Sequence, residues 1–254
     1  MAGNGIIRAN ASDALVRFAE QLKIPVTTTF MAKGVIPFSH DYCLGAVGLG
    51  ARDYIACGLD RADLVICVGY DMVEYHPHLW NPERTHRIVH IDQMPAEVDA
   101  HYILEAGVLG DIAQSLDDIA ALATPQATFT AGNLRNTIVE EHTAHTDDAS
   151  FPLKPQKIIS DLRQVLEPED IVISDVGAHK MWMARLYQAE RPNTCIISNG
   201  FASMGIGVPG AVAAKIAHPD RTALTVTGDA GFLMNGQEIE TALRIGTPIV
   251  ILVW

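Results

Sequence analysis

Hydrophobic and polar positions along this chain switch repeatedly between a period near 3.6 and short continuous apolar runs, the pattern of helices alternating with buried strands. Leu15, Val16, Phe18, Ala19 and Leu22 share one helical face behind the candidate N-caps Asn10 and Ser12, so a helix is expected over 11–22. The β-branched run over 24–30 predicts a strand, and a short helix is expected over 53–59. Residues 62–69, Ala-Asp-Leu-Val-Ile-Cys-Val-Gly, form the apolar run of a strand buried on both faces of a parallel sheet. Further strands are expected over 87–91, just ahead of Asp92, and over 107–109, with an amphipathic helix over 111–122. Gly3-Asn4-Gly5 has the form of a turn that follows a strand, with the strand itself absent.

The rhythm breaks after 122. Thr124-Pro125-Gln126 and Phe151-Pro152-Leu153-Lys154-Pro155 frame a polar stretch with one helical pattern near 134–142. Alternation then resumes. Helices are expected over 155–166, with Pro155 in the first turn, and over 178–187, 205–217 and 232–245. Strands are expected over 170–174, 194–198, 223–227 and 248–254. The reading is an α/β fold of two doubly wound parallel-sheet domains. A Rossmann-like domain covers 1–123 without its first strand, an interdomain linker covers 124–154, and a second domain covers 155–254. The final apolar strand runs to the last residue, so the second domain is expected to be truncated at its C-terminus and the chain to be part of a longer one.

Composition narrows the classes. With 48% hydrophobic and 19% charged residues, the chain can bury a sizeable core and is neither disordered nor collagen-like. A net charge of −12 argues against a nucleic-acid partner and against polybasic membrane attachment. Residues 1–154 carry 10 Lys and Arg against 20 Asp and Glu, whereas 155–254 carry 8 against 10, so the second half receives an anion more readily. No apolar run approaches the length of a membrane span, the N-terminus lacks a signal-peptide pattern, and a cytoplasmic protein is expected. Cys43, Cys57, Cys67 and Cys195 read as buried small apolar residues of a reducing compartment. His76, His78, His142 and His145 read as surface or loop histidines rather than metal ligands.

Chemistry in an open parallel sheet sits beyond the carboxyl ends of the strands, at helix N-termini. Two such ends stand out: Ser174-Asp175-Val176-Gly177-Ala178-His179 and Thr227-Gly228-Asp229-Ala230-Gly231-Phe232. Their glycines let backbone N–H groups approach an anion, and Asp229 offers a hard oxygen ligand for Mg²⁺. Each taken alone is an ordinary strand-to-helix turn. Gly205-Ile206-Gly207-Val208-Pro209-Gly210 matches the dinucleotide fingerprint in letters only, since six residues separate it from the preceding strand. Close helix packing explains those glycines better.

The order of the pieces carries more. Asp-Val-Gly-x-His-x-Met-Trp over 175–182, Ser-Asn-Gly-x-x-x-Met-Gly-x-Gly-x-Pro over 198–209, Gly-Asp-x-x-Phe-Leu-Met over 228–234, then Gln237-Glu238 and Glu240-Thr241-Ala242, together resemble the diphosphate-binding domain of thiamin-diphosphate enzymes. Val68-Gly69-Tyr70-Asp71-Met72-Val73-Glu74-Tyr75, Trp80-Asn81 and His90-Ile91-Asp92-x-x-Pro95-Ala96-Glu97 are similar to the central domain of catabolic acetolactate synthases. The resemblance implies thiamin diphosphate and Mg²⁺ as cofactors, with Asp229 as metal ligand. It implies diphosphate contacts from Gly177, Ala178, His179, Gly228, Ala230 and Gly231, and Ala202 and Met204 around the aminopyrimidine, the Met204 side chain supporting the bent cofactor. The family's Gly-Asp-Gly appears here as Gly228-Asp229-Ala230.

The implied activity is decarboxylation of pyruvate and condensation with a second 2-oxo acid, in a homodimer or homotetramer. Other thiamin-diphosphate decarboxylases or carboligases are the alternative within the class, and a non-catalytic nucleotide-binding or assembly module is the alternative outside it. Some relatives hold FAD in the central domain, and the catabolic likeness argues against it here. No catalytic residue is assigned, because the family's activating glutamate lies in a pyrimidine-binding domain and its second metal ligand, an Asn, would fall just past Trp254. The chain alone is therefore expected to be inactive and to bind the cofactor weakly or not at all.

Overall fold

Parallel strands organise each half of the chain. The computed structural model describes residues 1–48 and 54–254, which divide into two units, Met1–Glu141 and His142–Trp254. In the first unit the strands are β1 (Val26–Thr28), β2 (Cys43–Ala46), β3 (Leu64–Val68), β4 (Arg87–Asp92) and β5 (Ala106–Leu109). β1 pairs with β2, and β3, β4 and β5 pair in that order, all in parallel. Met1–Gly3 lies between the two groups. Ala2 bridges both Thr28 and Val68, its N–H donating to Thr27 O at 2.8 Å while Gly3 N–H donates to Val68 O at 2.9 Å. The first strand read as absent is thus represented by Met1–Gly3, too short a segment to show a periodicity.

The helices of this unit are α1 (Gly5–Arg8), α2 (Ser12–Leu22), α3 (Tyr54–Asp60), α4 (Pro77–Trp80), α5 (Ile112–Leu122) and α6 (Gly132–Thr143), the last crossing the division between the units. α2 packs on α5, and Ile6, Leu15, Phe18, Ile88, Ile91 and Leu116 lie in a shared core. Asp111 caps α5 by accepting the Gln114 N–H at 2.9 Å. Neither expected cap serves α2: Asn10 is left-handed at φ 51°, Ser12 is already helical, and Ala11 stands at the N-cap. The strand expected over 24–30 keeps only Val26–Thr28, since Phe30 opens a 3₁₀ turn. Asp53, where the next helix was expected to begin, lies outside the described residues. The stretch read as a linker is not all connection. Ile138 on α6 is fully buried in the first unit's core, and the division falls between Glu141 and His142. Few apolar residues mark that helix, so it reads as polar chain. His142, read as a surface residue, is buried, and Cys57 on α3 is exposed.

The second unit runs α7 (Pro155–Val165), β6 (Ile171–Ser174), α8 (Ala178–Leu186), β7 (Cys195–Ile197), α9 (Gly207–Ala217), β8 (Ala223–Thr227), α10 (Asp229–Asn235), α11 (Glu238–Arg244) and β9 (Val250–Val253). Its parallel sheet has the order β7-β6-β8-β9. α9 lies close on β6 and β8. The single helix expected over 232–245 is two: it begins three residues earlier, at Asp229, and breaks after Asn235, where Gly236 packs so tightly that a Cβ would stand 2.9 Å from Phe232 O. This unit is of the doubly wound α/β kind, and so is the first.

Candidate functional site

β6 and β8 are neighbours in the sheet, so the turns that leave their carboxyl ends emerge side by side. Asp175 N–H donates to Val226 O at 2.9 Å, and the ladder carries both strands to the same edge. The Val176–His179 turn opens α8 and the Gly228 turn opens α10. Neither N-cap, Gly177 or Gly228, has a side-chain hydrogen bond to the helix start. The first N–H groups of both helices, which emerge at one edge of the sheet, therefore have no acceptor on their own N-cap side chain. A Cβ built on Gly228 would lie 3.6 Å from the His179 ring, so the two turns touch.

Asp175 holds the arrangement together. It is fully buried at the end of β6 and accepts from Val176 N–H at 2.7 Å, Gly205 N–H at 2.9 Å, Gly207 N–H at 3.1 Å and the Thr227 hydroxyl at 3.2 Å. One carboxylate thus ties the turn after β6, the segment before α9 and the end of β8. Charged acceptors make the stronger hydrogen bonds, and a buried carboxylate needs such partners. The approach is close: a Cβ at Gly207 would lie 3.0 Å from Asp175 Oδ2, and one at Gly231 would lie 3.0 Å from both Asp175 Oδ2 and Thr227 Oγ1. Gly231 is the glycine this turn requires. Ala230 is exposed in the first turn of α10, which is why alanine is accommodated there.

The segment before α9 carries Ala202 and Met204. Ala202 is left-handed at φ 47°, an uncommon state for a residue with a Cβ, and Gly205 follows at φ 86°. Asn235 on α10 donates its amide to Gly205 O at 2.8 Å, so this turn is tied to the Asp229 helix as well as to Asp175. Met204 is 41% exposed beside it. Asp229 and Ala230 are exposed, as are Gly177 and Ala178.

His179 differs from these. It is buried, and its Nε2 has no hydrogen-bond partner among the described residues. Burial pushes the imidazole below its ordinary pKa, against a hydrogen bond with the Asp175 backbone and the Asp175 charge. The Trp254 ring lies 6.5 Å from the His179 ring, centroid to centroid. Residues 177–179 and 228–231 are thus brought together, and 202–204 are linked to them through Asp175 and Asn235. Asp175 and Thr227 fall within the two strand ends that the sequence points to but carry no assigned role there, and Asn235 is not among the expected site residues. The one available signal was a carboxylate directly after the apolar strand Ile-Val-Ile-Ser. Among the described residues, no group of three or more His, Cys, Asp or Glu side chains is gathered around a common metal position. The Gly-x-Gly-x-x-Gly letters over 205–210 serve packing: a Cβ at Gly210 would meet Ile173 at 3.0 Å. No helix among the described residues is long and apolar enough to cross a membrane.

Residues 1–119 match the family model described as the thiamine pyrophosphate enzyme central domain, and 175–254 match the C-terminal TPP binding domain of the same enzymes. The chain belongs to the thiamine pyrophosphate enzyme family. Within it, the chain is 34% identical over its whole length to a probable acetolactate synthase large subunit of Methanocaldococcus jannaschii, covering 45% of that protein. It is 30% identical over 97% of its length to an acetolactate synthase of Bacillus subtilis, covering 44% of it. Over 77% of its length it is 33% identical to a catabolic acetolactate synthase of Raoultella terrigena. The chain therefore spans less than half the length of these curated relatives.

Proposed function

We propose that the second unit holds the diphosphate of thiamin diphosphate for an acetolactate synthase-like reaction, in which pyruvate loses CO₂ and is joined to a second 2-oxo acid. The observation that carries this reading is the buried His179 Nε2, without a partner among the described residues, on a ring that lies against both glycine turns, 3.6 Å from a Cβ built on Gly228. A buried polar atom left unpaired costs free energy, and an anion seated between the turns removes that cost. The backbone N–H groups of Gly177, Ala178 and His179, and of Ala230 and Gly231, would hold the phosphoryl oxygens beside Gly228. Asp229 would hold Mg²⁺ against them, its exposed carboxylate being a suitable hard ligand. When bound, the cofactor supplies the electron sink for decarboxylation.

The chain's own residues orient the group. Ala202 and Met204 would face the aminopyrimidine, with Met204 supporting its bend, and Asp175 and Asn235 fix the turn that carries them. Such positioning lowers the barrier by holding reacting groups in place. The enzyme is proposed to be a homo-oligomer acting on pyruvate in the cytoplasm, and this chain by itself to be inactive.

The test is a chimera in which this chain replaces the matching segment of the Bacillus subtilis relative, assayed for acetolactate from pyruvate with thiamin diphosphate and Mg²⁺. Acetolactate from the chimera, lost in Asp229→Asn, is expected. A cofactor-loaded chimera that releases only acetaldehyde would favour a decarboxylase instead.

A further inference from the structure

With Met1–Gly3 counted as the first strand, the first unit has the strand order in which dinucleotides are bound. From one edge the strands are β2, β1, Met1–Gly3, β3, β4 and β5. In sequence rank this is 3-2-1-4-5-6, whose switch point lies between the first and fourth strands and whose ligand pyrophosphate rests on the turn after the first. The residues present do not fit such a group, flavin dinucleotide included. The three N–H groups of Gly3-Asn4-Gly5 are all engaged. Gly3 donates to Val68 O at 2.9 Å, Gly5 donates to Gly69 O at 2.7 Å, and Asn4 donates to both carboxyl oxygens of Glu74 at 3.1 Å. The two backbones also touch. A Cβ at Gly3 would lie 2.4 Å from Gly69 O, and one at Gly69 would lie 2.5 Å from Ile6 N. Where the fingerprint has its third glycine stands Arg8.

We propose that the Glu74 carboxyl group is the built-in occupant of this switch-point anion position, so that the first unit is held closed by its own side chain and takes no nucleotide. Glu74 is 7% exposed, and it also accepts the Thr29 hydroxyl at 2.5 Å and the Asp71 N–H at 3.3 Å. Thr29 follows β1, Asn4 follows the first strand, and Glu74 comes from the segment after β3. One carboxyl group therefore links the carboxyl ends of three adjacent strands, the task a bound diphosphate performs in a dinucleotide-binding unit. The proposal concerns the first unit alone and does not depend on the reading of the second.

The intact chain, titrated with FAD, NAD⁺ and ADP by calorimetry, is expected to show no saturable binding. In thermal melts, Glu74→Ala is expected to fall several degrees below the parent, because its donors lose their acceptor. Sodium formate or inorganic phosphate, which can refill the vacated position, is expected to recover much of that loss where sodium chloride does not. The same anions are expected to shift the parent and Glu97→Ala, a change at an exposed carboxylate, by one and the same smaller amount, set by their general effect on burial and by the second unit's own anion site. One equivalent of FAD or NAD⁺ bound by the parent would overturn the proposal. So would a Glu74→Ala melt within a degree of the parent, or a loss that formate and phosphate leave untouched. Should Glu74→Ala be insoluble, Glu74→Gln decides: a melt several degrees low supports the proposal, and an unchanged melt refutes it.

Discussion

Replacing Asp175 with alanine removes the one acceptor shared by three turns of the second unit. Four donors lose their partner: the N–H groups of Val176, Gly205 and Gly207, and the Thr227 hydroxyl. Val176 is only partly buried and water can reach it, and the Thr227 hydroxyl can turn to Gly228 O, which lies 3.2 Å away. Gly205 and Gly207 are buried and have no such recourse. At about 1–3 kcal/mol for each orphaned buried donor, the loss is about 2–6 kcal/mol, confined to the second unit. Native-state hydrogen exchange separates the units, because each amide reports the opening of its own surroundings. Val226 in β8 is expected to lose protection by that amount in Asp175→Ala, while Ile91 in β4 keeps its own. Asp175→Asn, which retains one acceptor oxygen, is expected to fall between. Val226 protection unchanged within about 0.5 kcal/mol, the usual span of an inconsequential substitution, would refute the reasoning.

Three further outcomes follow from the packing and electrostatics. Gly231→Ala puts a methyl 3.0 Å from Asp175 Oδ2 and Thr227 Oγ1 and is expected to cost about 1–3 kcal/mol in urea denaturation, whereas Gly132→Ala, with nothing within 4 Å, is expected to be neutral or to stabilise by up to about 1 kcal/mol. Ile138→Ala is expected to cost about 2–5 kcal/mol, read at first-unit amides, because Ile138 is fully buried in that core; a loss confined to second-unit amides would contradict the assignment of α6. Burial holds the His90 imidazole below its ordinary value of 6.5, so the unfolded chain takes up the proton first as pH falls. His90 thus withdraws stability from the first unit between pH 6.5 and its lower folded value, and urea melts from pH 8 to pH 5 should show a steeper decline in the parent than in His90→Gln.

The residues that made the sheets legible are the fully buried runs. β6 and β8 are buried throughout and fall within a residue of where their apolar runs placed them, because strands covered on both faces have no polar face to blur the pattern, and β3 and β4, buried over most of their length, lie within a residue or two of theirs. β2 was not legible. Cys43-Leu44-Gly45-Ala46 is short, lacks β-branched residues, and passes through φ 86° at Gly45. α6 was read as connection because its apolar residues are only Leu134, Ile138 and Val139, too few to stand out from the polar stretch around them. The turns at 177–179 and 228–231 were visible through their glycines and Asp229. The role of Asp175 was not, since a carboxylate after an apolar strand is also what an ordinary loop begins with, and only folding brings Gly205, Gly207 and Thr227 onto it. Glu74 was hidden for the same reason: its partners stand 70 and 45 residues away along the chain.

The turns at 176–179 and 228–231, with the Ala202–Gly205 segment beside them, are proposed to receive a metal-bound diphosphate. Amide chemical shifts of the 27.5 kDa chain, titrated with thiamin diphosphate in the presence and absence of MgCl₂, test it most directly, because they register even weak binding residue by residue. Mg²⁺-dependent shifts confined to those three segments are expected, absent with unphosphorylated thiamin and absent in Asp229→Asn. Shifts elsewhere with these segments silent, or a response that ignores both Mg²⁺ and the Asp229 change, would contradict it.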